Sequence, residues 1–179
     1  MDGNDYYYKY LEGAHKLMKI IEGKKIQLRP VILPDDCREA VKWYSDPEVL
    51  FYSEGKDTEP YDLKTVERMY KYLDQIGELY IIEIKNSDGY RPIGDITLSE
   101  DTLPLVIGVK EFRSMGIGKE AIEMIIERAR QLGWKKLRVK KVYDYNEKSK
   151  RLFLRQGFKL IGTGREENGQ SYSSYELLL

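Results

Sequence analysis

A short glycine loop is the feature that most constrains the fold of this chain. The loop, Arg113-Ser114-Met115-Gly116-Ile117-Gly118, follows an apolar run at residues 105–109 and precedes a segment with apolar residues at helical spacing. The first turn of a helix has backbone N–H groups without partners and the positive end of the helix dipole, so it attracts anions. Glycine permits close backbone approach and positive φ angles. The sequence therefore predicts a phosphate-binding loop at a helix N-terminus.

Length and composition indicate the number of domains and the net charge of the chain. The 179 residues suffice for one domain with a sizeable core. Lys plus Arg and Asp plus Glu both total 30, so the formal net charge is zero. This balance argues against a general nucleic-acid binder, which needs a basic surface. One local basic run consists of Lys135, Lys136, Arg138, Lys140 and Lys141.

Cysteine usage and hydropathy indicate the location. The single cysteine, Cys37, excludes an intrachain disulfide and gives no metal-binding pattern, which favours a reducing cytoplasm. No apolar run reaches the roughly 18 residues of a membrane helix. The first residues also lack the basic start and apolar centre of a signal peptide. We expect a cytoplasmic protein without a membrane span or a metal.

The spacing of apolar residues predicts an α/β fold. Tyr10, Ala14, Leu17, Met18 and Ile21 have helical spacing, which predicts a helical extension over residues 1–24, packed on the domain or on a partner subunit. Further helices are predicted over residues 34–44, 46–49, 61–76, 117–132 and 146–156. Strands are predicted over residues 26–30, 79–84, 92–98, 105–110 and 137–142, with two last strands meeting around Asn168-Gly169. A helix separates the strands at 105–110 and 137–142, so we expect them to run parallel.

Two motifs carry a family resemblance. Arg113-x-x-Gly116-x-Gly118 follows a strand, and Asn146-x-x-Ser149-x-x-Leu152-Phe153-x-x-x-Gly157-Phe158 follows the next one. In this order they resemble the GCN5-related N-acetyltransferases, the GNAT superfamily. Residues 28–30 and 43–49 are more loosely similar to the branch of the family that contains ribosomal-protein and small-amine acetyltransferases. The resemblance implies one acetyltransferase domain over residues 25–179. Its sheet would be mixed, mostly antiparallel and splayed at a central parallel strand pair, with helices on both faces.

The same resemblance implies acetyl-CoA as cosubstrate. The loop would hold its pyrophosphate, and the freed strand edge would pair with the pantetheine arm. Asn146 would contact that arm, although its alternative role is to cap a helix. Arg113 and Lys119 would lie near the cofactor chiefly through backbone atoms. The implied cofactor-binding residues are Val109, Lys110, Arg113, Ser114, Met115, Gly116, Ile117, Gly118, Lys119, Asn146, Ser149 and Phe153.

The catalytic residues are less well specified. Acetyl transfer needs a neutral amine, yet a free alkylammonium has a pKa of about 10.4. The family often has a tyrosine as general acid where this chain has Phe153, which has no proton to give. The candidates near the splayed strands are Asp95, Asp101 and Tyr145, with Glu100 and Tyr143 beside them. Any of them could reach the amine directly or through water, but for each one singly we favour a solvated surface position. We therefore expect direct attack in a ternary complex, with proton loss relayed by water.

Other catalytic chemistries fit the sequence poorly. His15 is the only histidine and lies in the predicted extension, which disfavours a Ser-His-Asp or Cys-His site. Cys37 is typical of a small core residue.

The amine acceptor has two sets of candidate residues. Aromatic rings could line its groove through cation–π contacts, at Tyr44, Tyr52, Tyr61 and Tyr172. Carboxylates suited to a cationic substrate, or simply solvated, are Asp46, Glu48, Glu54, Asp57 and Glu59. The acceptor would be a small amine, an antibiotic or a protein N-terminal amine.

An alternative of another class is a non-catalytic acyl-CoA-binding sensor or interaction module, which Phe153 favours. The extension or a sheet edge offers a surface for a homodimer.

Overall fold

The computed structural model describes residues 6–11 and 14–179, with side chains from residue 18 onward. Strands and helices alternate along these residues, as the apolar spacing predicts for an α/β domain. The strands are β1 (Tyr6–Leu11), β2 (Ala14–Lys19), β3 (Ile21–Glu22), β4 (Ile26–Pro30), β5 (Gly77–Asn86), β6 (Gly89–Ser99), β7 (Leu105–Ile107), β8 (Lys136–Tyr143), β9 (Lys159–Arg165) and β10 (Ser171–Leu178). The helices are α1 (Cys37–Tyr44), α2 (Pro47–Ser53), α3 (Leu63–Ile76), α4 (Ile117–Gln131) and α5 (Glu147–Arg155).

The strands form three antiparallel sheets. The largest has the order β3-β4-β5-β6-β7, a second has the order β8-β10-β9, and β1 pairs with β2. Strands β7 and β8, which we expected to run parallel, are edge strands of different sheets, and no ladder joins them within the described residues. The mostly antiparallel, splayed sheet is confirmed, and the splay lies between β7 and β8.

Two apolar cores lie on opposite faces of the largest sheet. Successive side chains of a strand point to opposite faces, so Leu79 and Ile81 belong to one core while Tyr80 and Ile82 belong to the other. Helices α1 and α3 cover the first face, and α4 covers the second together with apolar residues of β8 and α5. This arrangement confirms helices on both faces.

Side-chain caps fix the starts of three helices. The carboxylate of Asp46 accepts a hydrogen bond from the Glu48 N–H at α2, and the Asp62 carboxylate accepts from the Thr65 N–H at α3. Asn146 caps α5 in the same way. The predicted helices over 61–76, 117–132 and 146–156 are therefore confirmed to within two residues at their starts.

The predicted helical extension is wrong. Residues Tyr6–Leu11 and Ala14–Lys19 are strands that pair antiparallel. The helical spacing of apolar residues in this segment therefore does not correspond to a helix. The tyrosine-rich run at residues 6–10 favours extended backbone, because aromatic side chains pack well on a pleated surface. The side chains of Tyr10, Ala14 and Leu17, which were expected on one helix face, and that of His15 lie outside the described ones.

Two further boundaries differ from expectation. The strand predicted over 105–110 ends at Ile107, and a 3₁₀ turn occupies Lys110–Phe112. The helix predicted from residue 34 begins at Cys37, because the carboxylate of Asp36 accepts from the Ile32 N–H and holds a turn before it. In the described part of the chain, no helix combines the length and apolarity needed to cross a membrane.

Candidate active site

The glycine loop presents backbone to solvent at the start of α4. Gly116 is the residue before the helix and has φ 82, and Ser114 has φ 64, the left-handed region that favours glycine. Ser114, Met115 and Gly116 are exposed. No side chain among the described residues caps this helix N-terminus. A strained, uncapped, exposed turn of this kind is suited to bind an anion through its N–H groups.

A bulge ends β7 just before this loop. The Ile93 carbonyl accepts from two successive N–H groups, those of Gly108 at 2.8 Å and Val109 at 3.1 Å. Gly108 also packs so closely on Trp43 that an added Cβ would lie 2.1 Å from its ring. Lys110 follows the bulge, and its ammonium forms a 3.0 Å ion pair with Glu48. The pairing of β7 with β6 ends at this bulge.

The Arg113 side chain turns back from the loop toward β7 and α2. Its guanidinium donates to the carbonyls of Ile107 at 2.9 Å and Gly108 at 2.8 Å. It also pairs with Glu48 at 3.1 Å and with Asp46 at 3.4 Å. The Arg113 side chain thus fixes the end of β7 to the start of α2. Only the backbone of Arg113 contributes to the anion-binding turn of the loop.

The second sequence motif meets the first at Gly118. A Cβ there would lie 3.3 Å from Leu152 of α5 and 3.5 Å from Leu105 of β7. Phe153, on the same helix, is 4% exposed and packs edge-on against Phe158 at 5.3 Å between ring centroids. Ile117 is buried in the same core, while Ser149 is half-buried. The two motifs therefore converge, and Phe153 lies in the core beneath them.

Residues at the end of β8 hold the last turn of α2. The side-chain amide of Asn146 donates to the Tyr52 carbonyl at 3.2 Å. The Tyr145 hydroxyl donates to the Phe51 carbonyl at 2.6 Å, and the Tyr143 hydroxyl donates to the Glu54 carbonyl at 2.8 Å. These contacts satisfy carbonyls that a helix C-terminus leaves unpaired. Asn146 caps α5 and joins it to α2; its contact with a cofactor arm stays a prediction.

Asp95 lies in the interior of the first core, and it is not solvated. Its carboxylate accepts from the Tyr70 hydroxyl at 2.7 Å and from the Tyr44 hydroxyl at 3.0 Å. Burial raises the pKa of Asp95 to about 7, and the two hydroxyls oppose that rise. Burial also raises the pKa of both tyrosines well above their usual value. No local pattern indicates Tyr70 as a partner of Asp95, because α3 and β6 meet only in the folded chain.

The other catalytic candidates are engaged or exposed. Asp101 forms a 3.1 Å ion pair with Lys140, and both side chains are more than half exposed. Glu100 is exposed as well. Burial raises the pKa of the Tyr145 hydroxyl to about 12, so this group stays protonated at neutral pH.

The expected acceptor residues separate into three groups. Tyr44 is buried and stacks on Tyr61 at 6.0 Å between centroids, so only Tyr61 reaches the surface. Asp46 and Glu48 are used in the cap and ion pairs of α2. The exposed residues near α2 and in the loop after it are Tyr52, Glu54, Asp57 and Glu59. Of these, Glu54 accepts from Tyr61, and Asp57 accepts from Asn168 at 3.4 Å. Tyr172 lines an open concavity of about 470 Å³ on the second sheet, together with Lys140, Lys141, Arg165, Glu166 and Glu167.

A pair of stacked tyrosines faces two ammonium groups at the end of β8. The rings of Tyr143 and Tyr145 are parallel to within 3° at 5.3 Å between centroids. Lys56 lies 5.0 Å from the Tyr145 ring and Lys141 lies 5.2 Å from the Tyr143 ring. These aromatic faces therefore have a position and shape that suit ammonium ions.

The site fits the diphosphate of an acyl-CoA. The fit rests on the open turn at Gly116, where any side chain would be strained at φ 82, and on the uncapped first turn of α4. The Met115 side chain is half-exposed, and the Lys119 ammonium pairs with Glu123 at 3.6 Å. Both side chains therefore leave the backbone of the loop accessible. Sequence reasoning missed Lys25, whose ammonium donates to the Met115 carbonyl at 3.0 Å. The two residues are 90 positions apart, so no local pattern joins them.

Comparison with known proteins shows the family of this chain. The family described as Acetyltransferase (GNAT) domain matches residues 25–159. A comparison with curated protein sequences found no match.

Three solved structures illustrate the likeness. A domain from Methanocaldococcus jannaschii DSM 2661 is 21% identical with a TM-score of 0.73, over 88% of this chain and 100% of that one. Spermidine N-acetyltransferase from Vibrio cholerae, solved with CoA and spermine, is 20% identical with a TM-score of 0.71, over 87% and 96%. A ribosomal L7/L12 alpha-N-protein acetyltransferase in complex with coenzyme A is 12% identical with a TM-score of 0.74, over 90% and 98%. At these identities the likeness shows the fold.

Proposed function

Because the chain belongs to the GNAT acetyltransferase family, and is thus an N-acetyltransferase that uses acetyl-CoA, we propose that it acetylates a primary amine of a cationic acceptor. The acceptor attacks directly in a ternary complex. The observation that carries this proposal is the tyrosine pair at the end of β8. The rings of Tyr143 and Tyr145 lie 5.2 and 5.0 Å from the ammonium groups of Lys141 and Lys56, so their faces are accessible to such groups.

The charge around this pair favours a cation. Glu54, Asp57 and Glu59 follow one another at the end of α2 and in the loop to α3, and all three are exposed. Exposed carboxylates next to aromatic faces attract an ammonium ion both by charge and by cation–π contact. A polyamine, an aminoglycoside or a peptide with a free N-terminus each presents such a group.

Proton transfer in this proposal runs through water. The reaction forms an N–C bond and breaks a C–S bond. The ammonium loses one proton to water before it attacks, and the nitrogen loses a second proton on attack, which reaches the departing thiolate. Acetyl-CoA supplies the activated thioester when bound. The carboxylate of Asp95 is enclosed by two tyrosines, and Phe153 has no acidic proton. A water chain along the exposed gap fits these facts better than any single side chain does.

The proposed location is the cytoplasm. Cys37 is buried and unpaired, which suits a reducing compartment.

The test combines binding with turnover. Titration calorimetry with acetyl-CoA should show binding, and release of free thiol should then follow with spermidine, an aminoglycoside or a peptide with a free α-amine. The N-acetylated form of each acceptor is its matched control and should release no thiol. Binding without turnover on any acceptor would favour the acyl-CoA sensor instead, and absence of binding would overturn both.

A further inference from the structure

The basic side chains of the loop motif are both engaged elsewhere. The Arg113 guanidinium is held by two carbonyls of β7 and by Asp46 and Glu48 of α2. The Lys119 ammonium lies beside Glu123, one turn further along α4. A diphosphate carries at least two negative charges, and the loop itself offers only the partial charges of N–H groups. A full positive charge at this position has to come from outside the motif.

Lys25 lies at the required position. It comes from the turn between β3 and β4, and its ammonium is 3.0 Å from the Met115 carbonyl. A Cβ built on Gly116 would have this ammonium as its nearest neighbour, at 3.6 Å. The Met115 carbonyl is neutral, so this hydrogen bond leaves the positive charge in place. It also uses one of the three donors of the ammonium, and two remain for another acceptor.

The turn that carries Lys25 is fastened to α4. The N–H groups of Lys24 and Lys25 both donate to one oxygen of Glu120, at 2.5 and 2.8 Å. Gly23 permits this contact, because a Cβ there would lie 2.5 Å from Glu120 and 2.8 Å from the sulfur of Met124. Glu120 is thereby drawn toward the turn and its charge is partly satisfied by N–H donors. The backbone at Lys25 thus keeps a fixed place beside the loop.

We propose that Lys25 is a cofactor-binding residue that neutralises the diphosphate of acetyl-CoA from outside the glycine motif. This inference rests on the proposed function, with the diphosphate of acetyl-CoA at the glycine loop. The positive charge that the motif arginine does not supply to the diphosphate comes instead from the β3–β4 turn. Lys25 contributes to binding of the diphosphate and has no part in the transfer step.

Binding measurements on three variants test the proposal. Lys25→Gln should weaken acetyl-CoA binding about tenfold in titration calorimetry, the loss expected for one charge-assisted contact at a partly exposed site. Lys25→Arg should restore most of the affinity. Lys24→Gln is the matched control, since it removes the same charge from the neighbouring exposed residue, and it should change the affinity less than twofold.

A second probe separates charge from loop shape. S-acetylpantetheine lacks the diphosphate, so Lys25→Gln should leave its affinity unchanged. Equal weakening of acetyl-CoA and S-acetylpantetheine would mean that Lys25 only shapes the loop through the Met115 carbonyl, and the proposal would be overturned. Unchanged acetyl-CoA affinity in Lys25→Gln would overturn it as well. Failure of the unaltered protein to bind acetyl-CoA would instead refute the proposed function.

Discussion

The two sides of the site use their polar groups in opposite ways. On the cofactor side, the loop at residues 113–118 and the start of α4, the binding groups are backbone N–H groups exposed at an uncapped turn. On the acceptor side, formed by α2, the loop after it and the end of β8, most polar side chains bond to one another or to backbone. Tyr143 and Tyr145 donate to carbonyls of that region, and Glu48 pairs with Lys110. In the proposed function, an anion is therefore bound by local backbone geometry, whereas an amine is recognised by tertiary neighbours.

The largest effect is expected at Gly116. Gly116→Glu should reduce acetyl-CoA affinity by more than about 100-fold, because it combines strain at φ 82 with a carboxylate beside the diphosphate. Titration calorimetry gives the affinity and thermal unfolding gives the stability.

Gly133→Glu provides the matched control at the other end of the same helix. Gly133 has φ 76 and nothing within 4 Å of an added Cβ, so its strain is similar but no anion lies nearby. This variant should lose comparable stability and keep its affinity for acetyl-CoA. Similar affinity losses in both variants would attribute the effect at Gly116 to unfolding and would refute the placement of the diphosphate.

The second effect concerns the buried Asp95 behind the acceptor side. Its pKa is about 7 in the folded protein and about 3.9 in an unfolded chain. Between pH 4 and 7 the folded state therefore binds more protons, so the free energy of unfolding falls as pH rises and levels off above the folded pKa. Asp95→Asn should remove that fall, a difference of roughly 2–3 kcal/mol between pH 5 and 8 in urea titrations.

An exposed carboxylate serves as the control for Asp95. Asp101 is paired only with an exposed lysine, so Asp101→Asn should change stability by less than about 0.5 kcal/mol at each pH. A pH slope that persists in Asp95→Asn would assign the titration to another group.

The third effect tests how the two sides are joined. Arg113→Met leaves the Ile107 and Gly108 carbonyls without their donor, which should cost about 1–3 kcal/mol of stability. We expect kcat/KM for acetyl-CoA to fall about tenfold, because the end of β7 is no longer fixed. Glu48→Gln alters the exposed α2 end of the same contact, together with the exposed ion pair to Lys110, and should leave the acetyl-CoA affinity within twofold. An Arg113→Met variant with unchanged stability and kinetics would show that the two sides are independent.

The contrast explains what could be predicted from the sequence. The loop at Gly116 and the cap at Asn146 are local patterns, in which glycine φ angles and N–H geometry follow from residues a few positions apart. Both were confirmed as structural features. Asp95 was expected in solvent as an alternative to catalysis, yet α1 and α3 enclose it with Tyr44 and Tyr70. Nothing near Asp95 in the sequence indicates these partners.

The helix predicted for the N-terminal segment is wrong for a related reason. Its apolar residues fit a helical spacing, but the pairing of β1 with β2 decides the conformation. Lys25 shows the same limit, since its contact with Met115 spans 90 positions. Short-range patterns therefore predicted the turn at Gly116 and the cap at Asn146, and long-range contacts determine the rest.

The smallest effect is expected at Tyr145. Its hydroxyl donates to the Phe51 carbonyl at 2.6 Å, so Tyr145→Phe should cost about 0.5–1.5 kcal/mol of stability. Its pKa of about 12 makes it a poor donor to a thiolate, whose conjugate thiol has a pKa near 8.5. We therefore expect kcat to change less than about threefold in the thiol-release assay.

Tyr143→Phe removes the neighbouring hydroxyl, which donates to the Glu54 carbonyl, and serves as the matched control. Both variants should lose similar stability and retain turnover, with the rate still rising with pH as the acceptor amine loses its proton. A drop in kcat of about 100-fold in Tyr145→Phe alone, at unchanged acetyl-CoA affinity, would identify Tyr145 as the acid. The water relay would then be wrong, and the acceptor side would contain a dedicated proton donor despite Phe153.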